Sequence, residues 1–204
     1  MVKNNRVFTI RLDGGMLCLD YINTVNDRFI DNAVDYLNTP IDLIDWALRL
    51  EIIDEDHHNI LIQREEKEKT KAISFFEEAK SLRELLYHIF SKISRAGEIV
   101  EEDISEFNKW VSHFFSKVQL KKSHDNYIQV WDFGDEDFHC ILAPIVMDAY
   151  NLLLDNAYER IKECPKCGWL FHDNSKNGRR KWCSMQTCGS TTKALEWYHR
   201  HKNN

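Results

Sequence analysis

The chain has 204 residues, 43% of them hydrophobic and 12% aromatic, which is enough for a sizeable core and excludes disordered and collagen-like classes. Seven glycines and three prolines are too few for the turns of a β-sandwich or barrel, so the expected class is mainly α, an α+β chain with a helical body and a small sheet. The net charge of −6 is uneven: residues 1–159 carry 17 Lys and Arg against 30 Asp and Glu, whereas residues 160–204 carry 10 against 3.

In chain order, the first residues show no long apolar run and no small-residue cleavage site, so no secretory signal is read there. Residues 6–12 alternate Val7, Thr9 and Arg11 against Phe8, Ile10 and Leu12 before Asp13-Gly14-Gly15, the pattern of a half-buried strand closed by a turn. Residues 16–25 read as a short apolar helix. Thr39-Pro40-Ile41-Asp42 places an N-cap, a first-turn proline and a carboxylate at the start of a helix running to about Leu50. A third helix spans residues 54–67.

The fourth helix carries Ala72, Phe75, Ala79, Leu82, Leu86, Ile89 and Ile93 at spacings of three and four, one continuous apolar seam. Phe76, Leu85 and Phe90 widen that stripe beyond a two-stranded coiled coil, favouring a core helix over a homodimer interface. A further helix is expected near residues 101–118, and a second strand at residues 127–133, sharing one sheet with residues 6–12. Residues 138–161 read as a central apolar helix kinked at Pro144. His139, Pro144, Asp148 and Asn151 interrupt it, which argues against a membrane span and for a cytoplasmic address.

In that compartment cysteines point to metal before disulfides. Cys164, Cys167, Cys183 and Cys188 form a C-x2-C-x15-C-x4-C array, two thiolate pairs able to supply the tetrahedral sulfur shell of one structural zinc. Four sulfurs leave no open coordination position, so this is not a catalytic metal. Cys18 and Cys140 stand apart in apolar segments, as small core residues do. Between the pairs lies an aromatic half, then Asn177-Gly178, a hairpin-turn signal, then a basic run. A helix from about Ser190 to His201 follows. Lys176, Arg179, Arg180, Lys181, Lys193 and Arg200 are candidate phosphate contacts on duplex DNA.

The segment from Cys164 to Arg200 resembles the CGNR zinc finger. It shares Cys164, Cys167, Leu170, Phe171, Asp173, Ser175, Asn177-Gly178-Arg179-Arg180, Trp182-Cys183-Ser184-Met185 and Cys188-Gly189, and departs where Ser190-Thr191 replaces the Asn-Arg of the signature. Upstream, residues 17–25, Leu37-Asn38-Thr39, Leu43 and Trp46 resemble the ABATE domain that precedes this finger in stress-induced bacterial transcription regulators. The resemblance implies a body at residues 1–159 with a sensing or dimerising role, a finger at residues 160–204, and DNA-binding regulation.

Asp20, Asn23 and Thr24 share a helical face, with Arg28 a turn further on. They are either the polar wall of an effector pocket or, as such residues more often do, partners of neighbouring backbone. Two functions from different classes remain: a zinc-dependent DNA-binding regulator, and an adaptor whose zinc module docks an acidic protein. An enzyme is not expected, since no phosphate loop, dinucleotide fingerprint, H-E-x-x-H or nucleophile elbow occurs.

Overall fold

In the computed structural model, which describes residues 5–124, 126–155 and 157–202, helices dominate and two separate two-stranded sheets complete the fold. The body consists of α1 (Asn5–Thr9), α2 (Leu17–Ile22), α3 (Pro40–Arg49), α4 (Glu55–Lys67), α5 (Lys69–Ser94) and α6 (Glu101–Phe115). These are followed by the hairpin β1 (Val118–Ser123) and β2 (Asn126–Trp131), and then by α7 (Ala143–Leu154). The C-terminal part contains β3 (Ile161–Glu163), β4 (Leu170–His172), a π-helical turn at Met185–Gly189 and α8 (Ser190–Lys202).

Helix α5 is the axis. Ala72, Phe75, Ala79, Leu82, Leu86 and Ile89 of its seam are buried within the single chain, against α2, α3, α4 and α6, so the seam is core. Helix α3 starts as its sequence requires: Thr39 Oγ1 accepts from the Asp42 amide while the Asp42 carboxylate accepts from the Thr39 amide. Asp54 caps α4 through the His57 amide.

Three expectations are corrected. Residues 6–12 do not form a strand: Asn5–Thr9 is helical because Val7 and Ile10, three apart, share a helix face and are both buried, whereas a strand would send them to opposite sides. Arg49 then donates to the carbonyls of Val7 and Ile10 at 2.6 and 2.5 Å, satisfying the helix end. The second strand does exist, but it pairs antiparallel with β1, from Val118 opposite Trp131 to Ser123 opposite Asn126. Among the described residues no sheet joins it to residues 6–12.

The third correction concerns residues 138–161. They break into a 3₁₀ turn at Phe138–Ile141, α7, a second 3₁₀ turn at Ala157–Arg160, and β3. Pro144 lies in the first turn of α7, where its missing N–H has no carbonyl to serve, and it starts that helix instead of kinking it. Asp137 accepts from the His139 amide and fixes the preceding turn.

Candidate zinc centre and its outer face

Strands β3 and β4 pair antiparallel, Ile161 with His172 and Glu163 with Leu170, and the loop between them carries the first two cysteines. The Cys164 amide donates to the Trp169 carbonyl at 2.8 Å and the Gly168 amide to the Cys164 carbonyl at 2.9 Å, curling the chain so that both sulfurs face one point. Gly168 has a φ of 71°, and a Cβ there would stand 2.6 Å from Cβ of Arg28, so both conformation and space require glycine. Of the second pair, Cys188 lies in the π-helical turn and Cys183 just before it. Gly189 closes it, packed so tightly that a Cβ would meet Sδ of Met185 at 2.5 Å.

All four cysteines are buried, with their sulfurs within 4.8 Å of one another. Cys167 to Cys183, Cys183 to Cys188 and Cys188 to Cys167 measure 3.6, 3.6 and 3.7 Å. A disulfide needs about 2.0 Å. Zinc–sulfur bonds of about 2.3 Å in a tetrahedron put sulfurs roughly 3.8 Å apart, so the spacing suits one four-coordinate zinc. His172, which lies between the pairs, stands outside the four-sulfur cluster, and its Nδ1 is 2.6 Å from Oδ1 of Asn174. Cys18 and Cys140 lie outside the cluster; burial pushes the Cys18 thiol well up and that of Cys140 up to about 12.

The basic loop between the pairs is organised by Asp173, which is fully buried. Its Oδ1 accepts from the amide and hydroxyl of Ser175, and its Oδ2 from the Arg180 amide and, at 2.6 Å, from Nζ of Lys162. Burial alone would raise this carboxyl, but the donors from Lys162, Ser175 and Arg180 hold it well below the usual carboxylate range. Asn177-Gly178 therefore forms a turn folded around a carboxylate, with Gly178 at φ 57°, and not the tip of a paired hairpin.

The six basic candidates divide. Arg180 lies over the Phe171 ring at 4.4 Å and donates to the carbonyls of Trp182, Asp13 and Cys183, so its guanidinium faces inward. Lys176, Arg179, Lys181, Lys193 and Arg200 are exposed. The last two ride on α8, a helix with no buried residue. At the signature departure, the Ser190, Thr191 and Thr192 hydroxyls donate to the carbonyls of Gln186, Thr187 and Cys188, satisfying groups left open where the π-helical turn gives way to α8.

Of Asp20, Asn23, Thr24 and Arg28, Asn23 and Arg28 reach from the body to the zinc module, while Asp20 and Thr24 bond within the body. Asn23 pairs twice with Leu170, its Oδ1 accepting from the amide at 3.0 Å and its Nδ2 donating to the carbonyl at 2.8 Å. Thr24 donates to the Tyr21 carbonyl and accepts from Arg83. The Arg28 amide donates to the Cys167 carbonyl, and its guanidinium lies 4.3 Å from the Tyr87 ring centre and pairs with Glu84 at 2.5 Å. Asp20 accepts from the Gly14 amide, and burial raises its carboxyl to about 6. Trp169 Nε1 adds a bond to the Val25 carbonyl.

Sequence reasoning missed the other half of the joint between body and zinc module. Arg83, Tyr87 and Ser91 of α5 and Arg95 at its C-cap lie four apart. Arg83 holds Asp35 at 2.6 and 2.8 Å, and the other three converge on Glu163 of β3, with Arg95 bidentate at 2.6 Å. The period of four in polar residues, flanking the apolar seam, was the available signal.

With this geometry in place, the chain can be compared with known families. Residues 15–156 match the ABATE family, described as "Putative stress-induced transcription regulator", and residues 160–201 match the CGNR zinc finger. The chain belongs to the ABATE family. It carries a CGNR zinc finger at its C-terminal end, and it is a regulator-type protein with a structural zinc site. No curated protein matches the sequence. No described helix is long and apolar enough to cross a membrane.

Proposed function

We propose that the protein is a zinc-dependent DNA-binding transcription regulator whose zinc module contacts phosphates through its outer face. The observation that carries this is the outward exposure of Lys176, Arg179, Lys181, Lys193 and Arg200 on a module that zinc and the Asp173 hub hold in one shape. Preformed cations lose little freedom on meeting a polyanion, and each phosphate neutralised releases a condensed counterion. Zinc acts at a distance, fixing the loop and the start of α8; no step requires an open metal position.

The body, residues 1–159, carries 30 acidic against 17 basic residues and would repel DNA at long range, which orients the chain with its tail towards the duplex. Base discrimination is weak in this reading, because the contacts are to phosphate. A fluorescence anisotropy titration of random duplex DNA at two salt concentrations tests it. A steep loss of affinity with salt supports the reading, and no binding at micromolar protein and low salt defeats it.

The second reading, an adaptor that docks a protein, is favoured by one feature: Leu195, Trp197 and Tyr198 of α8 are about half exposed. In that case duplex DNA would not compete for the partner.

A further inference from the structure

A cleft of about 550 Å³ opens between the C-terminal end of α5 and the zinc module, within the size range of small-molecule sites. The body contributes Phe29 and Arg95 to its lining, and the module contributes Lys162, Arg179, Arg180 and Lys181. Two of these five cations are matched. Arg95 is paired with Glu163, and Lys162 with Asp173. The run Arg179-Arg180-Lys181 has no carboxylate partner among the ion pairs of the described residues, and since the Arg180 guanidinium is turned inward, two exposed cations, Arg179 and Lys181, remain unpaired in the lining.

The lining also holds one aromatic ring and one carboxylate, Glu163, which Arg95 pairs. Phe29 is 50% exposed, and its ring rests against the Cys167–Gly168 turn, since a Cβ on Gly168 would lie 3.2 Å from its Cε1. The bond from the Arg28 amide to the Cys167 carbonyl fixes the segment bearing Phe29 on the zinc knuckle. The cleft thus holds a half-exposed aromatic ring and two exposed cations, Arg179 and Lys181, that no carboxylate pairs. A phosphate's last pKa is about 6, so a terminal diphosphate is close to fully ionised at neutral pH and complements that charge. A planar base can stack on the ring.

We propose that this cleft binds a nucleoside diphosphate, with its phosphates on Arg179 and Lys181 and its base against Phe29. Because Arg179 and Lys181 also belong to the phosphate-contacting face proposed above, the bound nucleotide competes with duplex DNA. The competition rests on the DNA-binding reading, whereas occupancy of the cleft does not. The ligand bridges body and module, so the regulator's signal is read at their junction, away from Asp20, Asn23 and Thr24, whose polar groups are already engaged.

Isothermal titration of the zinc-loaded full chain with ADP and with inorganic pyrophosphate tests the site. Saturable binding of one ADP per chain is expected. Arg179→Ala combined with Lys181→Ala weakens both ligands by about tenfold or more, the loss expected for charge-assisted hydrogen bonds. Phe29→Ala weakens ADP by about fivefold, a stacking-sized effect, and leaves pyrophosphate unchanged. Lys193→Ala, on α8 and outside the cleft, alters neither. Zinc content and far-UV circular dichroism confirm that each variant is folded. The proposal is overturned if neither ligand saturates at millimolar concentration, if Lys193→Ala weakens binding as much as the double change, or if Phe29→Ala leaves ADP unaffected. ADP displacing labelled duplex supports the competition, and ADP binding with no displacement of bound duplex refutes it. ADP binding to a chain that binds no duplex at any salt leaves the cleft standing and removes the DNA reading.

Discussion

The inner and outer faces of the zinc module are both basic, and their charges have different fates. On the inner side Arg160 donates to the carbonyls of Asp173 and Ser175, Lys162 to Asp173 and to the Gly178 and Arg180 carbonyls, and Arg180 to Trp182, Asp13 and Cys183. Lys176, Arg179, Lys181, Lys193 and Arg200 form the outer, exposed set, of which Arg179 and Lys181 also line the cleft against the end of α5. A count of cations along residues 160–204 therefore overstates what a polyanion can meet, because part of the positive charge substitutes for a core that so small a module cannot build.

The largest expected effect breaks the inner face at its centre. Zinc removal should cost the module about 10–16 kcal/mol of folding free energy, leaving its loop and α8 unfolded, and Cys183→Ser, which leaves three thiolates, should cost a large part of it. Trp169, Leu170 and Phe171 belong to one continuous core with α2 and α5, so the body should keep its helices but melt at a lower temperature. Calorimetry with and without chelator checks this; an unchanged body transition would show that the joint contributes nothing to it.

Asn23→Ala is next. It strands a buried amide and a buried carbonyl of Leu170, for an expected loss of about 2–4 kcal/mol, readable by urea denaturation.

Asp20 gives a pH dependence of definite sign. Its carboxyl is raised to about 6 by burial, so the folded chain holds this proton to higher pH than the unfolded chain does. The stability it contributes is complete below the ordinary carboxylate range and is lost as pH rises from about 4 to 6, by at most about 3 kcal/mol. Asp20→Asn keeps an acceptor for the Gly14 amide and should flatten that window, gaining stability at pH 7 and little at pH 4.

Arg180→Ala should lower stability by about 1.5–3 kcal/mol through its lost charged hydrogen bonds, whereas Arg179→Ala, on the outer face, should leave the melting temperature nearly unchanged. Equal destabilisation by the two would dissolve the distinction between the faces.

Much of this arrangement was legible in the sequence where local chemistry decides. The four cysteines, the α5 seam, the Thr39 cap and the α8 helix follow from spacing and residue type alone. The failures share a cause: alternation at residues 6–12 fits a strand, but a strand needs a partner, and Val7 and Ile10 found burial against α3 as a single helical turn instead. Pro144 reads as a kink in the sequence because the 3₁₀ turn ending at Ile141 is as apolar as the helix after it. Which arginine turns inward could not be read from Arg179-Arg180, since the answer depends on Asp13, 167 residues away, and on the ring of Phe171.

The outer face is tested most directly by duplex DNA binding as a function of salt, comparing the zinc-loaded chain with Arg179→Ala/Lys181→Ala. Five exposed cations lead to a slope of log affinity against log salt of about −4 to −5, reduced in magnitude by about two in the double variant and equally for unrelated sequences. Absence of binding at low salt, or a slope that the double change leaves intact, would contradict it.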